Sequence, residues 1–102
     1  MKNIWTMATL VLAAAGAGAQ TPDALYIRSL AATCANCHGT DGRAVNGSTV
    51  PTIAGMPREY LATQLKAFKA GTRPATVMHQ LSKGYSDAQI EQIAAYFAAQ
   101  KK

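Results

Sequence analysis

The pattern of apolar and polar positions divides the chain into a leading apolar run and three helical stretches separated by two irregular ones. From Ile4 to Ala15 the sequence is almost wholly apolar behind Lys2, and it then dissolves into Ala17-Gly18-Ala19. A positive n-region, an apolar h-region and a small-x-small site are the layout of a secretory signal. The run falls short of the ~20 apolar residues that a spanning helix needs. It is therefore read as a signal peptide over residues 1–19, cleaved near Ala19, leaving one domain over residues 20–102.

After Ala19 the first helical stretch opens on Thr21-Pro22-Asp23: a hydroxyl N-cap, a proline in the first turn and an acid near the positive helix end. Leu25, Ile27, Leu30 and Ala31 supply its buried side through to Thr33, with Tyr26 outside. Gly39, Gly42 and Gly47, with Asp41 and Asn46, then break regularity as far as Pro51, and Pro51 to Gly55 reads as extended. A second helix is expected from Met56-Pro57 to Ala70, where Gly71 stops it; Leu61, Leu65 and Phe68 form its apolar stripe. The stretch from Gly71 to Tyr85 carries no period and is expected to be irregular. Ser86-Asp87-Ala88-Gln89 is a capping box for the last helix, and Ile90, Ile93, Ala94 and Phe97 give it one apolar face. Tyr96 and Phe97 are suited to crossing the first helix over Leu30, and Lys101-Lys102 complement the negative helix end. The expected class is all-α, with three main helices and loops.

At 102 residues the chain is one small domain, and without its leader it is too short to bury a large apolar core unaided. Its one tryptophan, Trp5, lies in the leader. Loss of Lys2 with the leader lowers the net charge from +5 to about +4, still basic for so short a chain. A basic domain suits an acidic partner surface, and Lys66, Lys69, Arg73 and Lys83 are the expected rim. Nucleic acid is disfavoured by the export signal and by the lack of a basic helix or an aromatic platform.

The chemistry is concentrated in Cys34-Ala35-Asn36-Cys37-His38. Cys-x-x-Cys-His is the attachment pattern of c-type haem, in which the thiols add across the haem vinyl groups and the imidazole ligates the iron. Residues three apart share a face of a helical turn, so Cys34 and Cys37 can meet one edge of a porphyrin while His38 is carried over its plane. A thioredoxin-like pair would expect a βαβ setting, which the flanking pattern lacks. A structural zinc site would need four ligands, and His79 is the one further histidine, with no further cysteine. One covalent haem c is the cofactor read here, and it also supplies the staple that a small core requires. Its attachment outside the bacterial inner membrane agrees with the export signal and places the protein in the periplasm. Met78 is the expected sixth ligand, a soft thioether on a stretch able to fold over the free haem face; Met opposite His raises the potential. Its rivals are His79, whose imidazole would lower the potential, and Met56, read instead as a core residue at the start of the second helix.

The whole domain resembles a small class I cytochrome c: helix, Cys-x-x-Cys-His-Gly, glycine loop, proline segment, helix, Met loop and a final helix with Ala-Ala-Tyr-Phe. Pro51-Thr52-Ile53-Ala54, Phe68-Lys69-Ala70-Gly71, Ala75-Thr76-Val77-Met78 and Lys83-Gly84-Tyr85-Ser86 resemble the haem domain of the cytochrome subunit of flavocytochrome c sulfide dehydrogenase. The resemblance implies that Met78 is the axial thioether and that the carbonyl of Pro51 accepts from the ring N–H of His38 and orients it. It also implies a periplasmic flavoprotein subunit as partner, which oxidises sulfide and passes electrons singly to the haem. One well-known form of that subunit carries two haem domains, whereas one motif is present here.

The expectation is one-electron transfer through a His/Met-ligated haem, either as the cytochrome subunit of such a dehydrogenase or as a free carrier between respiratory complexes. No acid–base pair or nucleophile accompanies the motif; Asp23, Asp41, Glu59, Asp87 and Glu91 read as turn, cap or solvated residues. Any catalytic chemistry would lie on the partner.

Overall fold

The computed structural model describes residues 21–102, so the expected signal peptide lies outside the described residues. Among the described residues there are five α-helices: α1 Pro22–Ala32, α2 Ala35–His38, α3 Arg58–Ala70, α4 Met78–Lys83 and α5 Asp87–Ala98. A 3₁₀ turn, Thr40–Gly42, follows α2, and there is no strand among the described residues. α1, α3 and α5 are the three long helices expected from the pattern.

Their ends are where the polar residues place them. The Thr21 hydroxyl accepts from the Ala24 amide at 3.2 Å, satisfying one orphan donor of α1. Ser86 and Gln89 bond reciprocally, at 3.1 and 2.9 Å, closing the capping box of α5. α3 ends at Gly71, whose φ of +78° is the left-handed geometry that a helix stop of this type requires.

The core is a single cluster in which Ala31 of α1 and Leu61 and Ala62 of α3 meet Ile90, Ile93, Ala94 and Phe97 of α5. Leu30, Met56 and Leu65 pack on it while half-buried. Met56 thus stands where it was expected, as a core residue ahead of α3. Leu25 does not: it is 52% exposed, because the buried face of α1 is narrow and turns on Leu30 and Ala31. The second departure is α4. Residues 78–83 were expected to be irregular, but they form a six-residue helix. It has no side-chain N-cap and buries only Ser82, so neither a capping signal nor an apolar stripe announces it.

Three ion pairs tie α3 to α5: Lys66 and Arg58 both reach Glu91, and Lys69 reaches Asp87 at 3.2 Å. The Lys66 hydrogen bond holds the Glu91 carboxyl below its usual value, with the positive charges of Lys66 and Arg58 adding to it. A lowered carboxylate adds stability that is present above the unfolded value of about 4.5 and is lost as pH falls through the lowered one. Glu91→Gln should therefore unfold at lower denaturant than wild type at neutral pH, and the two denaturation midpoints should converge on acidification. Phe97 is 2% exposed at the centre of the cluster, and Phe97→Ala should cost about 3–5 kcal/mol in chemical unfolding of the haem-loaded protein.

Candidate functional site

The motif sits between the end of α1 and the 3₁₀ turn. The amides of Cys37 and His38 both donate to the Cys34 carbonyl, at 3.3 and 2.9 Å, and this closes the helical turn α2. The turn sets Cys34, Cys37 and His38 on one short segment, as the spacing implied. Both thiols are free, Cys34 half-buried and Cys37 exposed. Burial pushes the Cys34 thiol up from its ordinary value, an effect partly offset by the Thr33 hydroxyl.

His38 is the one buried side chain of α2, at 9% exposure. Its Nδ1 lies 2.7 Å from the Pro51 carbonyl oxygen. A carbonyl can only accept, so Nδ1 carries the proton and Nε2 is left with the lone pair that a metal takes. The expected Pro51 contact is therefore present as geometry. It depends on the loop before it: the Gly42 carbonyl accepts from the amides of Ile53 and Ala54, at 2.8 and 3.1 Å. Gly42 has φ +82°, and a Cβ there would stand 2.8 Å from the Phe97 ring, so this close approach of turn, loop and α5 needs glycine.

Two tyrosines bracket the motif. Before it, the Thr33 hydroxyl donates to the Leu30 carbonyl at 2.8 Å, so the Tyr85 hydroxyl, 2.6 Å away, donates to Thr33. After it, the Tyr96 hydroxyl donates to Asp41 at 2.6 Å. That bond to the carboxylate, reinforced by burial, raises the Tyr96 phenol above its usual value. The local pattern reads Asp41 as a turn residue and gives Tyr85 and Tyr96 no part in the site. The partners are separated by 52 and 55 residues, so no local pattern signals either bond.

Met78 opens α4 and is half-buried, outside the core cluster that Met56 joins. Beside it, His79 keeps its Nδ1 buried with no hydrogen-bond partner, and one turn on the Ser82 hydroxyl is buried and unpartnered too. Val77 and Leu81, 53% and 46% exposed, leave apolar surface that the protein itself does not cover. The basic rim is narrower than the sequence suggested. Lys66 and Lys69 are held by α5 carboxylates, and Arg73 lies over Phe68 and bonds Gln64, which leaves Arg73 and Lys83 with unmatched charge.

These donors fit a covalently held haem. Two unbridged thiols on one turn can each form a thioether, and the imidazole beside them has its proton committed to Pro51 and its other nitrogen free. Among the described residues no group of three or more His, Cys, Asp or Glu side chains is placed to hold a lone metal ion. None of the described helices is long and apolar enough to cross a membrane.

Comparison with known proteins agrees with this geometry. The cytochrome c family model matches residues 27–101. The cytochrome subunit of sulfide dehydrogenase from Chlorobaculum tepidum is 47% identical over 68 residues, covering 67% of this chain and 60% of that protein. Cytochrome c-554(548) of Halomonas halodenitrificans is 38% identical over 72 residues, 68% of this chain and 86% of the relative. Cytochrome c4 of Pseudomonas aeruginosa is 35% identical over 101 residues, 99% of this chain and 50% of the relative. The chain thus spans half of cytochrome c4 and less than two thirds of the sulfide dehydrogenase subunit. Motif, helical fold and matched length together make this chain a member of the cytochrome c family, with the small class I fold and a covalently held haem c.

Proposed function

We propose that the protein is a periplasmic one-electron carrier in which Cys34 and Cys37 form the haem thioethers and His38 Nε2 and Met78 are the axial ligands. The observation that carries this reading is the 2.7 Å bond from His38 Nδ1 to the Pro51 carbonyl. It fixes the tautomer, aims Nε2 away from the backbone and raises the basicity of the imidazole. The haem, when bound, supplies reversible one-electron Fe(III)/Fe(II) chemistry. The chain's own work is to hold the proton at Nδ1, to present a thioether from the start of α4 and to leave no position open for a substrate. The leader over residues 1–19 and its cleavage near Ala19 belong to the same proposal, since thioether attachment and export go together.

For the partner, we favour a sulfide-oxidising flavoprotein to which this chain is the cytochrome subunit, with the catalytic chemistry on the flavoprotein. The support is the 47% identity to the Chlorobaculum protein. Arg73 and Lys83 would then meet acidic groups of the partner. The second reading, a freely diffusing carrier, is favoured by the match to cytochrome c-554(548), 86% of whose length is aligned.

Met78→Ala should convert the low-spin spectrum to a high-spin or ligand-exchanging one and lower the reduction potential by a sizeable part of the ~0.8 V range that axial ligands command. Met56→Ala should keep the native spectrum; the reverse pattern would move the sixth ligand to Met56. Reduced wild type should bind carbon monoxide slowly or not at all, and Met78→Ala rapidly. Gentle purification from the native periplasm should bring a flavin-containing chain that reduces the haem on addition of sulfide. A lone protein that sulfide does not reduce enzymatically would establish the free carrier instead.

A further inference from the structure

We infer that Tyr96 is a positioning residue for His38, acting from α5 through Asp41 and the 3₁₀ turn on the Pro51 carbonyl. The inference rests on the reading of His38 as an axial ligand.

The turn that follows His38 is an unfavourable one for an ordinary chain. Asp41 adopts φ +53°, the one positive φ at a non-glycine among the described residues, between Gly39 at +84° and Gly42 at +82°. Such a conformation persists where surrounding contacts over-determine it. Those contacts converge on the Asp41 carboxylate. One oxygen accepts from Tyr96 at 2.6 Å, and the other accepts from Arg43 at 3.4 Å, whose guanidinium also donates to the Lys101 carbonyl at 3.0 Å. One grip therefore comes from α5 itself, and the other, from Arg43 two residues on, is anchored in turn to the segment just after α5.

The turn passes this placement on. Its Gly42 carbonyl takes the amides of Ile53 and Ala54, and the Ala44 amide donates to the Thr52 hydroxyl at 3.0 Å. Pro51, directly ahead of these residues, gives its carbonyl to His38. From Tyr96 to the imidazole the connection is an unbroken series of hydrogen bonds and short backbone. Moving the turn moves the Pro51 oxygen. A longer, weaker bond at Nδ1 makes the imidazole less basic, which disfavours Fe(III) and raises the potential. A purely structural role would instead run through the Tyr96 ring, which stands edge-on to Phe97 with centroids 5.2 Å apart. Tyr96→Phe keeps that ring and removes only the hydroxyl.

The test uses the full haem-loaded protein with its histidines labelled with nitrogen-15; there are two, His38 and His79. The readouts are solvent exchange of the His38 Nδ1 proton by NMR and the reduction potential. Tyr96→Phe should speed that exchange about tenfold and raise the potential. Tyr26→Phe is the matched control, since it removes a hydroxyl that links α1 to α5 through Gln89, away from the motif; it should leave both readouts at wild-type values. Should Tyr96→Phe fold poorly, Asp41→Gly tolerates the positive φ, removes the acceptor and should speed exchange equally. Asp41→Asn tolerates the same φ, keeps an acceptor and should restore slow exchange. Wild-type values in Tyr96→Phe, equal changes in Tyr26→Phe, or fast exchange in Asp41→Asn would overturn the inference. A wild type in which neither imidazole is shifted by the iron would remove His38 ligation itself, and the inference with it.

Discussion

The hydrogen bond from His38 to the Pro51 carbonyl joins the two halves of the site, and the loop between them is shaped by the need to make it. Fourteen residues from His38 to Pro51 inclusive must leave α2, reverse and return with a carbonyl at 2.7 Å from a ring nitrogen. That requirement accounts for the positive-φ residues at 39, 41 and 42, for the close approach of Gly42 to Phe97, and for the backbone bonds that fasten residues 53 and 54 to the turn. The imidazole is then delivered in a single tautomer. Without that bond His38 could present either nitrogen.

The margins of the site are held by polar contacts, and the fold by apolar ones. α1, α3 and α5 pack through a small cluster of their own side chains, against which Cys34 of the motif rests. Tyr85, just ahead of α5, and Tyr96, within it, then reach to either side of Cys34–His38. The scaffold can therefore be stable while the motif's geometry is tuned by a few hydroxyl and carboxylate groups at its margins. This division suits a haem site, whose potential is tuned by the groups around it.

Much of this was legible in the chain. Periodic stripes and two side-chain caps located the long helices, because those signals are local and repeat. Cys34, Cys37 and His38 were legible because their chemistry depends on spacing alone. α4 was not, since a helix of six residues without a side-chain cap carries too little pattern to exceed turn chemistry. Leu25 was misplaced for a related reason: an apolar residue near a helix start can join the face or leave it, and the width of the buried face is set by α5, far along the chain. Asp41 looked like an ordinary turn residue. Its value lies in Tyr96, and nothing within a few positions of either residue encodes the pair.

Among the described residues, each of the three long helices buries an alanine: Ala31 of α1, Ala62 of α3 and Ala94 of α5. They contribute little oily surface, yet they act as spacers, because a methyl group at a helix crossing sets how near two backbones can come. Any larger side chain at Ala94 would push α5 outward as a rigid rod. Tyr96 and the Phe97 carbonyl, which holds the Gly55 amide at 2.8 Å, would travel with it. The mechanical tolerance of the cofactor site is thus written in the smallest side chains of the core, some distance from any atom that would touch the iron.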